Sequence, residues 1–253
     1  MNFQDGAAIV TGGASGLGAA TAASLAALGT KVSIFDRDAH QGREVARSVG
    51  GQFFFVDVTD EDSVSAGLDA AIASHGPARI LVNCAGIGKS IRTVNREGQA
   101  FPLADFRRIL DVNLIGTFNV IAKFAARLHR ADVVGEERGV IINTSSIAAF
   151  EGQIGQAAYA ASKGGIVGMT LPIARDLAQL AIRVVTIAPG LFLTPAFRGM
   201  SEAALQELGK QAPFPNRLGH PSEYALLVEA IIRNPMLNGE VIRLDGAIRM
   251  APR

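Results

Sequence analysis

Tyr159 and Lys163 stand at i and i+4 in Tyr159-Ala160-Ala161-Ser162-Lys163, so a helix through this segment projects both from one face. Together they suit a metal-free interconversion of alcohol and ketone, in which a side chain must take the hydroxyl proton as hydride leaves. A tyrosine with a solution pKa of about 10 is too weak a base at neutral pH. A neighbouring ammonium stabilises the phenolate; lowering that pKa by about three units requires roughly 4 kcal/mol, within reach of a close, partly desolvated charge. Alone, Tyr-x-x-x-Lys describes a surface pair equally well, and the surroundings decide. Ser146, in Ile142-Asn143-Thr144-Ser145-Ser146, offers a hydroxyl to hold a substrate oxygen; Ser145 beside it is a reminder that serine is also ordinary loop chemistry. Asn113 falls inside a helix-forming region although Asn is a poor helix former. A contact to a functional water or to backbone is one explanation, solvation the other.

A second constellation suits a dinucleotide. Thr11-Gly12-Gly13-Ala14-Ser15-Gly16-Leu17-Gly18 follows an apolar run and opens a helical one. A pyrophosphate is held at a helix N-terminus by free N–H groups and the dipole. Gly12 lets the chain turn, Gly16 lets backbone approach phosphate, and Gly18 allows close packing of helix on strand. A plain strand–helix turn would also favour glycine. Asp36 ends the second apolar run, where the adenosine ribose should lie; a carboxylate there accepts the ribose hydroxyls and repels a 2′-phosphate. The other readings of Asp36 are a strand-end turn or a cap for the helix near Asp38. Arg37 could greet a phosphate, but the carboxylate of Asp36 sets the preference, NAD over NADP. Asp57 could meet the adenine edge, with Thr59 or Asp60 capping the next helix as the alternative for that segment.

Positioning these residues takes alternating strands and helices. Strands are expected at 7–10, 31–35, 52–56, 79–82, 139–143, 182–187 and 240–244, and helices at 16–28, 38–49, 61–75, 103–130, 156–180, 201–210 and 221–233. Continuous apolar strands indicate a sheet covered on both faces, and the alternation implies parallel strands with right-handed crossovers. The expectation is an α/β fold: a single doubly wound Rossmann domain over 1–253, with a seven-stranded, mostly parallel sheet. Residues 1–150 form mainly the cofactor half. The catalytic helix, a substrate flap at 191–214 and the last strand fall in 151–253.

With 49% hydrophobic and 19% charged residues the chain is not disordered, and 24 basic against 23 acidic residues without long like-charge blocks imply neither nucleic acid nor anionic membrane as partner. Residues 6–30 carry no charge, but the Gly/Ser/Thr break inside them argues against a membrane span, and no targeting peptide is expected. The single Cys84 fits a reducing, cytoplasmic setting and reads as packing rather than as a nucleophile. His40, His75, His129 and His220 are scattered without a second ligand at metal spacing, so no metal is expected.

The glycine run, Asn83-Cys84-Ala85-Gly86, Asn113, Ser146, Tyr159, Lys163 and Pro189-Gly190 occur in an order and spacing that resembles the short-chain dehydrogenases/reductases over essentially the full length. The resemblance implies an Asn–Ser–Tyr–Lys tetrad. Tyr159 would be the acid/base, Ser146 rather than Ser145 the carbonyl-orienting hydroxyl, Lys163 the ligand of nicotinamide ribose, and Asn113 the holder of a proton-relay water. It implies NAD bordered by Gly12, Ser15, Gly16, Leu17, Gly18, Asp36, Asp57, Val58, Cys84, Ala85, Gly86, Pro189, Gly190, Phe192 and Thr194. It also implies a homotetramer built partly on the long helices at 103–130 and 156–180, whose apolar positions a buried core face would use equally.

A narrower resemblance, to the type II 3-hydroxyacyl-CoA dehydrogenases of that family, is carried by 148–159, 168–178, 187–192 and 237–250. Val185 and Ala247, where many family members have Asn and Gly, are shared with that subgroup. It implies an NAD-dependent oxidoreductase interconverting a 3-hydroxyacyl-CoA and its 3-ketoacyl-CoA. Two alternatives stay open: a dehydrogenase or carbonyl reductase for steroids or other bulky secondary alcohols and ketones, and a non-catalytic dinucleotide-sensing protein. The latter would have no reason to keep Ser146, Tyr159 and Lys163 together. Asp36 opposes an NADPH-linked acyl-carrier-protein reductase. Between Gly86 and Asp105 a loop carries Lys89, Arg92 and Arg96 against Glu97. It is expected either to border the substrate mouth and attract coenzyme A phosphates or to be a solvated loop. Gln156 is a candidate substrate contact.

Overall fold

The apolar runs become strands β1 (Ala7–Thr11), β2 (Lys31–Asp36), β3 (Gln52–Phe55), β4 (Ala78–Asn83), β5 (Gly139–Thr144), β6 (Ile182–Pro189) and β7 (Val241–Leu244). Between them run helices α1 (Gly16–Ala27), α2 (Ala39–Ser48), α3 (Glu61–His75), α4 (Leu103–Leu110), α5 (Gly116–Leu128), α6 (Ala157–Ala178), α7 (Glu202–Gly209) and α8 (Pro221–Arg233). In this computed structural model, which describes residues 3–4, 6–197 and 199–252, the strands form one sheet in the order β3-β2-β1-β4-β5-β6-β7. Every neighbouring pair is parallel. Arg198, within the expected flap, lies outside the described residues.

Each central strand feeds two cores. Ile9, Leu81 and Ile141 face Leu68, Ile121, Phe124 and Ile173 of α3, α5 and α6. Their neighbours Ala8, Val10, Ile80, Val82, Val140 and Ile142 face Leu25, Tyr224, Val228 and Ile231 of α1 and α8. This double burial is why the strands read as unbroken apolar runs. Strand order reverses between β1 and β4, which opens a crevice at the carboxyl ends of the strands.

Helix starts follow side-chain chemistry. Asp38 accepts from His40 N and Gln41 N at the head of α2, and Asp60 from Asp62 N and Ser63 N at the head of α3. One long helix was expected at 103–130; the chain instead forms α4, a π-helical turn at Asp111–Ile115, and α5. By length and hydropathy the run Leu103–Leu128 resembles a membrane span, yet it packs against α3, α6, β4 and β5. At the far side of the sheet the buried Arg183 pairs with Glu137 at 2.7 Å and donates to the carbonyls of Ile231, Ile232 and Leu237.

Candidate active site

A cavity of about 900 Å³ opens at the carboxyl ends of the strands, over the switch point. Every residue expected around the dinucleotide lines it, as do Ser146, Gln156, Tyr159 and Lys163; Asn113 does not.

The nucleotide half is built by close backbone contacts. Gly12 has φ +64°, and a Cβ there would stand 2.6 Å from Ala85 N, so only glycine lets the loop after β1 turn beside the loop after β4. A Cβ on Gly18 would lie 2.3 Å from Gly12 O, which keeps α1 against the end of β1. Ser15 begins α1 without a side-chain cap, leaving the first-turn N–H groups directed at the cavity. Asp36 is not a helix cap, since Asp38 fills that role. Its Oδ2 accepts from Ala14 N at 3.0 Å and its Oδ1 from Asp38 N at 3.0 Å, so the carboxylate is tied to the glycine loop and faces the cavity. Arg37, which lines the cavity beside it, is paired with Asp57 at 3.3 Å. Burial raises the Asp57 carboxyl, but hydrogen bonds from Thr59 and the Arg37 charge outweigh it and leave the pKa lowered. These groups fit NAD: an open helix N-terminus for the pyrophosphate and a fixed carboxylate for the ribose hydroxyls.

The chemical half is set by α6 and the turn after β5. Lys163, buried, donates from Nζ to Thr144 O at 2.8 Å and lies 5.8 Å from the Tyr159 ring centroid. Ser146 Oγ accepts from Ala148 N at 3.1 Å and heads the turn Ile147–Ala149. The expected acidification of Tyr159 is not found in the protein alone. Burial raises the phenol above its ordinary value, and a hydrogen bond with Ser146 only partly offsets it. Burial also lowers Lys163 to about 8, with the Cys84 charge opposing. Desolvation therefore outweighs the attraction that the i, i+4 spacing suggested.

Asn113 sits in the π-helical turn with its amide committed to protein. Oδ1 accepts from Ile87 N at 2.8 Å, while Nδ2 donates to Ile87 O at 2.9 Å and to Ser162 Oγ at 3.0 Å. Of the two explanations, the backbone contact holds: the residue pins the loop following Gly86 to α6, and solvation is ruled out because Asn113 is fully buried. Helical geometry is relaxed where this amide needs room.

Beneath the cavity Cys84, Thr144 and Tyr224 form a polar cluster. Thr144 Oγ1 lies 2.7 Å from Tyr224 Oη and donates to Cys84 Sγ at 3.5 Å. Burial pushes the Cys84 thiol up, in keeping with a packing role. Leu208, from the expected flap, lines the cavity as well; Thr144, Gln153 and Met250 also line it and were not singled out as site residues from the sequence, since each is an unremarkable residue until the fold brings it there. The 87–104 loop is an ordered hairpin bridged at Val94 and Ala100. Lys89 is paired with Asp105 at 3.1 Å, and Arg96 is exposed at the tip. Arg92 lines a second cavity of about 430 Å³, which shares Gln153 and Gln156 with the first. Gln156 Oε1 accepts from Gln153 N at 3.0 Å, so this side chain shapes the rim between the two.

Comparison with known proteins gives a consistent result. The profile of the short chain dehydrogenase family matches residues 6–204. The chain is 55% identical over 249 residues to 3-hydroxyacyl-CoA dehydrogenase type-2 of Homo sapiens, covering 97% of this chain and 95% of that protein. It is 52% identical over 255 residues to the protein of the same name from Drosophila melanogaster, covering 99% and 100%. The crystal structure of 3-hydroxyacyl-CoA dehydrogenase type-2 from Mycobacterium avium superposes with a TM-score of 0.94 at 44% identity, covering 98% of both chains.

Proposed function

The chain belongs to the short chain dehydrogenase family, and from that premise we propose that it is an NAD-dependent oxidoreductase interconverting a 3-hydroxyacyl-CoA and its 3-ketoacyl-CoA. One observation carries the reading: Ser146, Tyr159 and Lys163 share a single cavity with the glycine loop and Asp36. A protein that only sensed dinucleotide would not need the first three beside the last two. The substrate class follows the relatives that match over nearly the whole chain.

NAD, when bound, supplies nicotinamide C4 as the hydride acceptor or donor. The rest falls to the protein. Ser146 Oγ holds the oxygen of the reacting carbon. Tyr159 Oη takes the hydroxyl proton during oxidation and returns it during reduction. The raised phenol pKa keeps that proton in place at neutral pH, so the protein alone is poised as the acid for reduction. Lys163, fixed by Thr144 O, is placed to bind the nicotinamide ribose and to stabilise the phenolate when it forms. Asn113 positions Ile87 and Ser162 around this pair, and a relay water is proposed to sit beside it. The hairpin that carries Arg92 is proposed to meet the coenzyme A phosphates and Gln156 to contact substrate; the support is that Arg92 lines the second cavity and that Gln156 lines both.

NADH consumption with acetoacetyl-CoA tests this. Wild type should turn over, and Tyr159→Phe should fall by about 10²–10⁴-fold while still binding NADH. Activity surviving in the variant would remove Tyr159 from its role; a wild type that ignores the thioester would remove the substrate class. A homotetramer is proposed on the outward apolar face left by Ile115, Phe118 and Leu171, each about half exposed. Light scattering that gives a monomer's mass would overturn it. A cytoplasmic setting is proposed from the lone thiol Cys84, to be checked by fractionation.

A further inference from the structure

The segment 245–252, beyond β7, runs back to the loop ahead of α6 and is clasped there. The Arg243 guanidinium donates to Glu151 Oε1 at 2.7 Å and Oε2 at 3.0 Å, and through Nε to Asp245 Oδ2 at 2.8 Å. Arg249 approaches the same two carboxylates at 3.4 and 3.3 Å. Hydrogen bonds from Arg243, set against a smaller cost of burial, hold the Glu151 carboxyl below its ordinary value, so the clasp stays ionised at neutral pH. Backbone groups add to it. Gln153 Nε2 donates to Ala251 O at 3.0 Å, and Ile154 N to Pro252 O at 3.0 Å. A bidentate guanidinium–carboxylate pair adds geometric definition as well as energy.

Between these anchors lies Met250, half-buried, lining the same cavity as Ser146 and Tyr159. Gln153, which holds Ala251, lines that cavity too, together with Gln156 and Tyr159 at the start of α6, so the clasp joins Met250 to the part of the chain that carries the chemical half of the site. No polar group of its side chain calls for a partner, and an unbranched, polarizable chain adapts to apolar ligands of varied shape. We propose that Met250 is a specificity-determining residue, an apolar wall against the acyl group whose position is set by the Arg243–Glu151 clasp. This rests on the substrate class proposed above.

The test compares kcat/KM for acetoacetyl-CoA and 3-ketopalmitoyl-CoA in wild type, Met250→Ala and Met250→Phe. Opening the wall should move the long-to-short ratio up by roughly tenfold, and filling it should move the ratio down by a similar factor. Met250→Leu, close in volume, should fold and stay near the wild-type ratio. Glu151→Gln should shift the ratio in the same direction as Met250→Ala and make the segment sensitive to limited proteolysis. A ratio unchanged within about twofold in both the Ala and Phe variants, with normal melting temperatures, overturns the proposal. Should wild type reduce no thioester, the substrate class falls instead. The same comparison between a small and a bulky simple ketone then still decides the role of Met250.

Discussion

At the scale of single residues, burial and charge pairing decide what each group does. Lys163 is the plainest case. Its folded pKa of about 8 lies below the ordinary 10.5, so folding disfavours the ammonium. Between these two values Lys163 binds more proton in the unfolded chain than in the folded one, so its own contribution to stability rises with pH across that window and falls as pH drops toward 8, while the raised Cys84 and Tyr159 act in the opposite direction. Lys163→Met should abolish turnover yet raise the melting temperature at pH 7, and its advantage over wild type should shrink between pH 8 and 10.5; thermal denaturation of both proteins across pH checks this. Asp36 is proposed to set cofactor choice by repulsion, since its carboxylate is fixed at the cavity. Asp36→Ala should shift the NADPH-to-NADH ratio of kcat/KM upward by roughly tenfold to a hundredfold, read from steady-state kinetics with both cofactors. The i, i+4 pair, the glycines and Asp36 were all legible because chemistry and spacing are local properties. The raised Tyr159 pKa was not, because desolvation sums over everything packed around the ring.

At the scale of elements, the packing of α1 on β1 sets the cofactor end of the cavity. Gly18→Ala would press a methyl group against Gly12 O, from which an ideal Cβ is only 2.3 Å away. We expect a loss of about 1–3 kcal/mol in chemical denaturation and a larger loss in NADH affinity, since the N–H groups at the head of α1 would be displaced. Strand and helix limits agree with the sequence to within a residue or two, because apolar periodicity and the caps Asp38 and Asp60 act locally. The π-helical turn at Asp111–Ile115 could not be read that way. Asn113 signalled something irregular, but its cause is Ile87, 26 residues earlier, and Ser162 on another helix.

At the scale of the whole molecule, the start of β6, at the end of the strands remote from the site, is secured by the buried Arg183, which pairs with Glu137 ahead of β5 and donates to carbonyls at the end of α8. Arg183→Met takes the guanidinium from the buried Glu137 and from the carbonyls of Ile231, Ile232 and Leu237, so it should cost about 3–5 kcal/mol in a denaturant titration while leaving the KM for NADH of the remaining folded protein unchanged. The residue types and their spacing determined the doubly wound sheet, the glycine loop and the candidate Asp36, Ser146, Tyr159 and Lys163 that one cavity brings together, because each was read from patterns within a few residues. Tertiary structure alone decided which carboxylate holds Arg37, where the amide of Asn113 is spent, which way Tyr159 titrates and that Met250 meets the catalytic cavity. Those outcomes depend on side chains brought together from distant parts of the chain and on the water their packing excludes, and no local pattern encodes either.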